Sequence, residues 1–125
     1  MNFYVASGFA NKTQVQYVTQ KLQSRGYNHI YDWTRNQRAT TERELSRIGR
    51  LEKEAVLNCD FFILLLPGGK GSHTELGIAL ALGKRVYIYS ADIIDKTTAS
   101  AFYYVDGVER FYGEIDDFVK MIGLT

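Results

Sequence analysis

The sequence predicts an α/β fold: a central parallel sheet of four to five strands with helices on both faces, three layers in all. Three observations carry this. Short apolar runs alternate with stretches of helical periodicity along the whole chain. The run "DFFILLL" at 60–66 is continuously apolar, as expected of a central parallel strand covered on both sides. The strand-to-strand connections are long enough for crossover helices, which are right-handed in parallel sheets. The 125 residues suit one compact domain, taken here as 1–125.

In chain order, "NFYVA" at 2–6 reads as a short buried strand. Gly8 and Asn11 break it. Val15, Val18 and Leu22 follow at helical spacing, and Gly26 sits where a helix stops. "NHIYDW" reads as a second strand. Thr41 and Glu44 form a capping-box pair that opens a helix. That helix carries Leu45, Ile48, Ala55 and Val56 on one face. After the central strand, Ser72 and Glu75 form a second capping-box pattern for the next helix. "RVYIYS" is a fourth strand, 91–111 is less regular with a short fifth strand near 108–111, and "GEIDDFVKMIGL" closes the chain as a helix.

Composition narrows the function classes. Hydrophobic residues make up 46% and charged residues 23%, an ordinary globular balance. A net charge of +1 gives no basic excess for a nucleic-acid polymer or a membrane surface. No apolar run approaches the roughly 20 residues that span a bilayer. The N-terminal stretch lacks a signal-peptide pattern. The one cysteine, Cys59, forms no internal disulfide and reads as packed, so a cytoplasmic setting is expected. No His, Cys or Asp cluster has metal-ligand spacing, and neither metal nor other cofactor is called for.

In a parallel α/β sheet, ligands bind at the carboxyl ends of the strands, where strand order reverses. Two loops are expected there: the one after the first strand (Ser7, Gly8, Phe9) and the one after the third, "PGGKGSHTELG" at 67–77. Gly68, Gly69 and Gly71 permit close backbone approach to a ligand, and a helix N-terminus attracts anions or sugar oxygens. Lys70 stands among them as a phosphate contact. The loop lacks the Lys-Ser/Thr ending of a P-loop, which argues against an NTPase.

Glu75 reads in two ways. It is a cap glutamate bonding back to the Ser72 amide. Alternatively, it is an ionised carboxylate in the first helical turn, facing the crevice and able to act as a covalent nucleophile. Glu52 lies four residues after Ile48 and three before Ala55, so it projects from the apolar face of its helix. There it either reaches water at the stripe's border or serves a cleft. Tyr4, read as near the end of the first strand, is half-buried packing or an orienting partner for Glu75. His73 reads as solvated and His29 as isolated. Trp33 is a lid over the crevice or packing. The interleaved charges of 35–54 read as a salt-bridged exposed helix.

Three segments together resemble the nucleoside 2-deoxyribosyltransferase family. They are "FYVASGF", "LEKEAVLNCDFFILLLPGG" and "GSHTELGIALALGKRV". "GYNHIYDWT" is similar to a segment of its short bacterial members, so the likeness spans most of residues 2–90. The resemblance implies a flavodoxin-like fold and cleavage of the N-glycosidic bond of 2′-deoxynucleosides or their 5′-monophosphates. It implies Glu75 as the nucleophile on C1′, Tyr4 as its hydrogen-bonding partner, and Glu52 where the family has an Asp near the base. Ser7, Gly8, Glu52 and the loop Gly68, Gly69, Lys70, Gly71 and Ser72 would contact a small nucleoside or nucleotide. A homodimer or higher homo-oligomer is also implied, for which "AFYYVDGVERFY" at 101–112 could supply the surface. Two departures stand out: Gly69 replaces an acidic or hydroxyl residue, and Glu52 is one methylene longer than Asp. "PGGKGSHTE" also resembles the PGG-x-G-T-x-x-E motif of cytokinin-activating phosphoribohydrolases. That leaves a phosphoribohydrolase, or a non-catalytic nucleotide sensor, as alternatives.

Overall fold

The structure is a computed structural model and describes residues 1–123. Five strands form one all-parallel sheet: β1 (Asn2–Ser7), β2 (Asn28–His29), β3 (Phe61–Leu65), β4 (Arg85–Ser90) and β5 (Val108–Tyr112). Four helices complete the layers: α1 (Lys12–Ser24), α2 (Glu42–Asn58), α3 (Lys70–Ala81) and α4 (Ile115–Met121). α1 packs with α4, and α2 with α3. No described helix is long and apolar enough to cross a membrane.

The spatial order is β2-β1-β3-β4-β5. The chain leaves β1 in one direction to reach β2, then crosses to the other side for β3. The reversal therefore lies between β1 and β3, and their carboxyl ends flank a crevice. Register across that seam is continuous from Phe3 opposite Phe61 to Ser7 opposite Leu65. Beyond it, the Gly8 amide donates to the Pro67 carbonyl at 3.0 Å. A Cβ at position 8 would lie 2.9 Å from that carbonyl oxygen, so only glycine lets the two loops meet.

All five residues of β3 are buried. Phe62, Ile63, Leu64 and Leu65 are each worth about 1.5–3 kcal/mol of apolar burial. Val15, Val18 and Leu22 are buried on α1 as the spacing predicts, and Gly26 ends the helix region at φ +89°. Cys59 is buried.

Several expectations need correction. β2 is two residues long rather than six. Asp32 accepts from the Thr34 amide at 3.0 Å and caps a short 3₁₀ helix, Trp33–Arg35, so its short polar side chain turns the chain out of the sheet. The Trp33 indole N–H donates to the Val5 carbonyl at 2.7 Å, taking the place a longer β2 would have filled. Trp33 is thus buried against β1, with an edge on the cleft described below.

On α2, only the C-terminal half enters the core. Ala55 and Val56 are buried, while Leu45 is 59% exposed. Among the described residues no ion pair joins the charges of α2; the pair that forms is Arg35 with Asp32, 3.3 Å apart and outside that helix. The chain from β4 to β5 carries no α-helix, only a 3₁₀ turn at Ala101–Tyr103.

Candidate active site

β1, α2 and α3 converge on one polar triad. Tyr4 is the third residue of β1, fully buried rather than half-buried at the strand's end. Its hydroxyl lies 2.9 Å from Glu75 Oε2 on α3 and 3.3 Å from Glu52 Oε2 on α2. The phenol has one proton, and the shorter contact assigns it to Glu75. Three residues far apart in sequence thus meet in a pocket that the helix and strand periodicities each aim inward.

The Ser72–Glu75 capping box does not form. α3 begins three residues earlier, with Gly69 as its N-cap. Ser72 is the third helical residue: its Oγ accepts from the Gly69 amide at 2.7 Å and donates to the Gly69 carbonyl at 3.0 Å. Glycine has no capping side chain, and Ser72 reaches back to do the work. Glu75 then falls in the second turn, where the helix dipole has largely decayed.

Burial consequently wins over the dipole. Glu75 is only 7% exposed. Burial, and next the Glu52 charge, push its carboxyl up to about 8, against a lowering by the Tyr4 hydroxyl. Burial also raises Glu52, although less completely enclosed. Tyr4 is held well above its ordinary value by burial first and by the two carboxylates next. The two carboxyls therefore titrate as a pair, with a proton retained past neutral pH. This corrects the expectation that Glu75 is simply ionised.

The triad opens into a cleft of about 350 Å³ lined by Ser7, Phe9, Trp33, Arg38, Glu52, the 69–72 turn and Glu75. Past Glu52 the cleft continues into a hollow of about 220 Å³, bordered by Asn36, Gln37, Ala39, Leu45 and Ile48. Leu45 and Ile48, expected in the core, line this hollow instead. Ser7 is fixed from within: its Oγ donates to the Leu65 carbonyl at 2.7 Å and accepts from Asn11 Nδ2 at 2.9 Å. Gly8 and Gly68 sit at the loop seam, and Lys70 is exposed at the rim.

At Gly69, the nearest obstacle to a side chain is the Gly8 Cα at 4.0 Å. A polar group would fit there; the sequence simply lacks one.

Sequence reasoning named Phe9 only as part of the loop after β1 and did not single out Arg38 for the cleft. Phe9 is 39% exposed at the cleft mouth, with Lys12 Nζ 4.0 Å and the Arg38 guanidinium 4.8 Å from its ring centroid. The signal was available as an aromatic just after the first strand, whereas Arg38 was hidden in a charged run. His73 was also misjudged. It is half-buried, with Nδ1 2.8 Å from the Gly69 carbonyl and Nε2 2.6 Å from the Tyr103 hydroxyl.

The family model for nucleoside 2-deoxyribosyltransferases matches residues 3–108. No curated protein matches the sequence. Among solved structures, a CMP N-glycosidase of Clostridium botulinum is similar at 17% identity and TM-score 0.71, covering 96% of each chain. A 2-deoxyribosyltransferase from Bacillus psychrosaccharolyticus is similar at 19% identity and TM-score 0.68, covering 95% of this chain and 90% of its own. A conserved protein from Enterococcus faecalis V583 is similar at 16% identity and TM-score 0.67, covering 96% and 95%. At these identities the structural likeness speaks to the fold.

Proposed function

Because the chain belongs to the nucleoside 2-deoxyribosyltransferase family, a family of enzymes, we propose that it cleaves the N-glycosidic bond of a 2′-deoxynucleoside or its 5′-monophosphate through a glutamate nucleophile. The observation that carries this reading is the Glu75–Tyr4–Glu52 triad, whose two carboxylates line a cleft.

The chemistry follows from the shared proton. When substrate enters, the proton settles on Glu52 and leaves Glu75 ionised, with the Tyr4 hydroxyl donating to it. Glu75 Oε attacks C1′. The C1′–N bond breaks, and its electron pair leaves with the base, which takes the proton from Glu52. The sugar is now an ester of Glu75. A second base, or water, attacks C1′ and frees the carboxylate, and its departing proton returns to the Glu52 side. One carboxyl is thus nucleophile and the other acid; the Tyr4 hydroxyl, which donates to Glu75, favours the ionised form there against burial. The role of Tyr4 is to orient Glu75, and that of Ser7 and Gly8 to position the sugar.

Gly68, Gly69, Gly71 and Ser72 hold sugar or phosphate oxygens at the start of α3, with Lys70 at the phosphate. The base lies toward Phe9 and the hollow past Glu52. The catalytic unit is read as one domain, 1–125, without metal or redox cofactor, working in the cytoplasm as a homodimer.

The test is a product assay. The protein is incubated with deoxynucleosides, their monophosphates and CMP (the substrate named for one similar structure), with and without an acceptor base. Free or exchanged base is expected with the wild type and not with Glu75→Ala. If neither product appears, or if the variant keeps full activity, the assignment fails. For the dimer, light scattering should give twice the chain mass, reduced in Tyr104→Asp; a monomeric wild type overturns it.

A further inference from the structure

The loop 68–71 has a back side that the proposed chemistry does not use. There, His73 joins it to the irregular segment between β4 and β5. We infer that His73 and Tyr103 form a clamp that sets the position of this loop and so governs substrate affinity rather than the chemical step.

The geometry fixes the roles of the atoms. The Gly69 carbonyl is a pure acceptor, so the His73 nitrogen 2.8 Å from it, Nδ1, carries the proton. In a neutral ring Nε2 is then a lone pair, and the Tyr103 hydroxyl 2.6 Å away donates to it. The rings also pack, with centroids 5.7 Å apart. Tyr103 is itself anchored: it is buried, and its carbonyl accepts from Arg110 Nη1 at 2.7 Å. A line of hydrogen bonds therefore runs from β5 through Tyr103 and His73 to Gly69, which lines the cleft.

A second observation points the same way. A Cβ on Gly68 would lie 2.7 Å from Ser72 Oγ and 2.8 Å from His73 Cε1. The imidazole edge lies directly against the backbone of residue 68, so ring and loop interlock. On its other side His73 borders a separate hollow of about 330 Å³ with Leu76, Ser100 and Phe102. It touches the loop from behind and does not line the cleft. His73 is thus a positioning residue.

The link to affinity rests on the loop's proposed role in holding sugar or phosphate; the clamp itself does not. Nitrogen-15 NMR of the His73 ring reads the clamp without any substrate. The wild type should show protonated Nδ1 and bare Nε2, and Tyr103→Phe should shift the ring toward the other tautomer. A wild-type ring protonated only at Nε2, or one indifferent to Tyr103→Phe, overturns the clamp.

Kinetics reads the consequence. Tyr103→Phe and His73→Ala should raise KM for a substrate turned over by the wild type by roughly three- to tenfold, the effect of one lost hydrogen bond, with kcat unchanged. His73→Asn, whose amide can still donate to Gly69, should recover most of the affinity. Melting curves identify any variant that fails to fold, and Tyr103→Phe, which removes one atom, keeps the comparison available. A fall in kcat with KM unchanged, or no rescue by Asn, overturns the link to affinity. If no substrate is turned over, the N-glycosidic reading fails while the NMR result still decides the clamp.

Discussion

Two opposing effects act on the Glu75 carboxyl. The Tyr4 hydroxyl favours the ionised form; burial and the Glu52 charge favour the neutral one. Burial is the larger, and the carboxyl rises to about 8. For catalysis, the singly protonated pair is the working state, since one carboxyl attacks while the other donates. A bell-shaped dependence of kcat/KM on pH is expected, with its falling limb near 8. Glu52→Gln removes the acid and the charge that raises Glu75. It should lower kcat/KM by about 10²-fold and move or abolish the limb near pH 8. An unchanged profile in that variant would show that the two carboxyls do not act together. Glu75→Gln should lower kcat by at least roughly 10³-fold. These residues were readable as candidates in the sequence, because Glu52 interrupts an apolar stripe and Glu75 follows a glycine-rich turn. Their shared proton was not readable, since it depends on a convergence that spans 71 residues between Tyr4 and Glu75.

At the scale of elements, local pattern predicted existence well and ends poorly. β1, β3 and β4 lie where the apolar runs are, because burial on both faces leaves little choice of residue; β5, at the sheet edge, has no buried residue and a weaker pattern. β2 shrank because Asp32 offers its neighbours an alternative hydrogen-bonding partner. α3 starts early because Ser72, at its third position, satisfies the N-cap residue from inside the helix. Neither event is visible in periodicity. The glycines illustrate the same limit. Gly8 and Gly49 look alike as letters. A Cβ at 8 would press to 2.9 Å on a backbone carbonyl, while one at 49, in the exposed face of α2, meets nothing within 4 Å. Gly8→Ala should therefore cost about 1–3 kcal/mol and lower Tm by several degrees, opening the seam where β1 and β3 end. Gly49→Ala should add about 0.5–1 kcal/mol of helix propensity and raise Tm. Thermal unfolding of the two variants distinguishes them; shifts of the same sign would contradict the packing at Gly8.

At the scale of the whole molecule, the strand order made the crevice predictable. Alternating strands and helices imply a parallel sheet, and such a sheet has a carboxyl edge where loops gather. What the same fold does to stability follows from burying a carboxyl pair at that edge. The unfolded chain releases the Glu75 proton near its ordinary value of 4.5, whereas the folded chain holds it to about 8. Between those values the folded state binds more protons, so stability falls as pH rises. Below 4.5 both states are protonated and the cost vanishes. Above about 8 both are ionised and the full cost, on the order of a few kcal/mol, is present. Glu75→Gln removes this ionisation while keeping an oxygen for the Tyr4 hydroxyl. The variant should be more stable than the wild type at pH 8, with the difference shrinking toward zero as pH falls below 5. Urea unfolding at both pH values reads this directly. Equal stabilities at pH 8 would mean that the carboxyl is not held neutral by the fold. A gain at pH 8 in an inactive variant would mean that the protein sacrifices stability to keep an ionisable group in a dry site, as expected where activity and stability conflict.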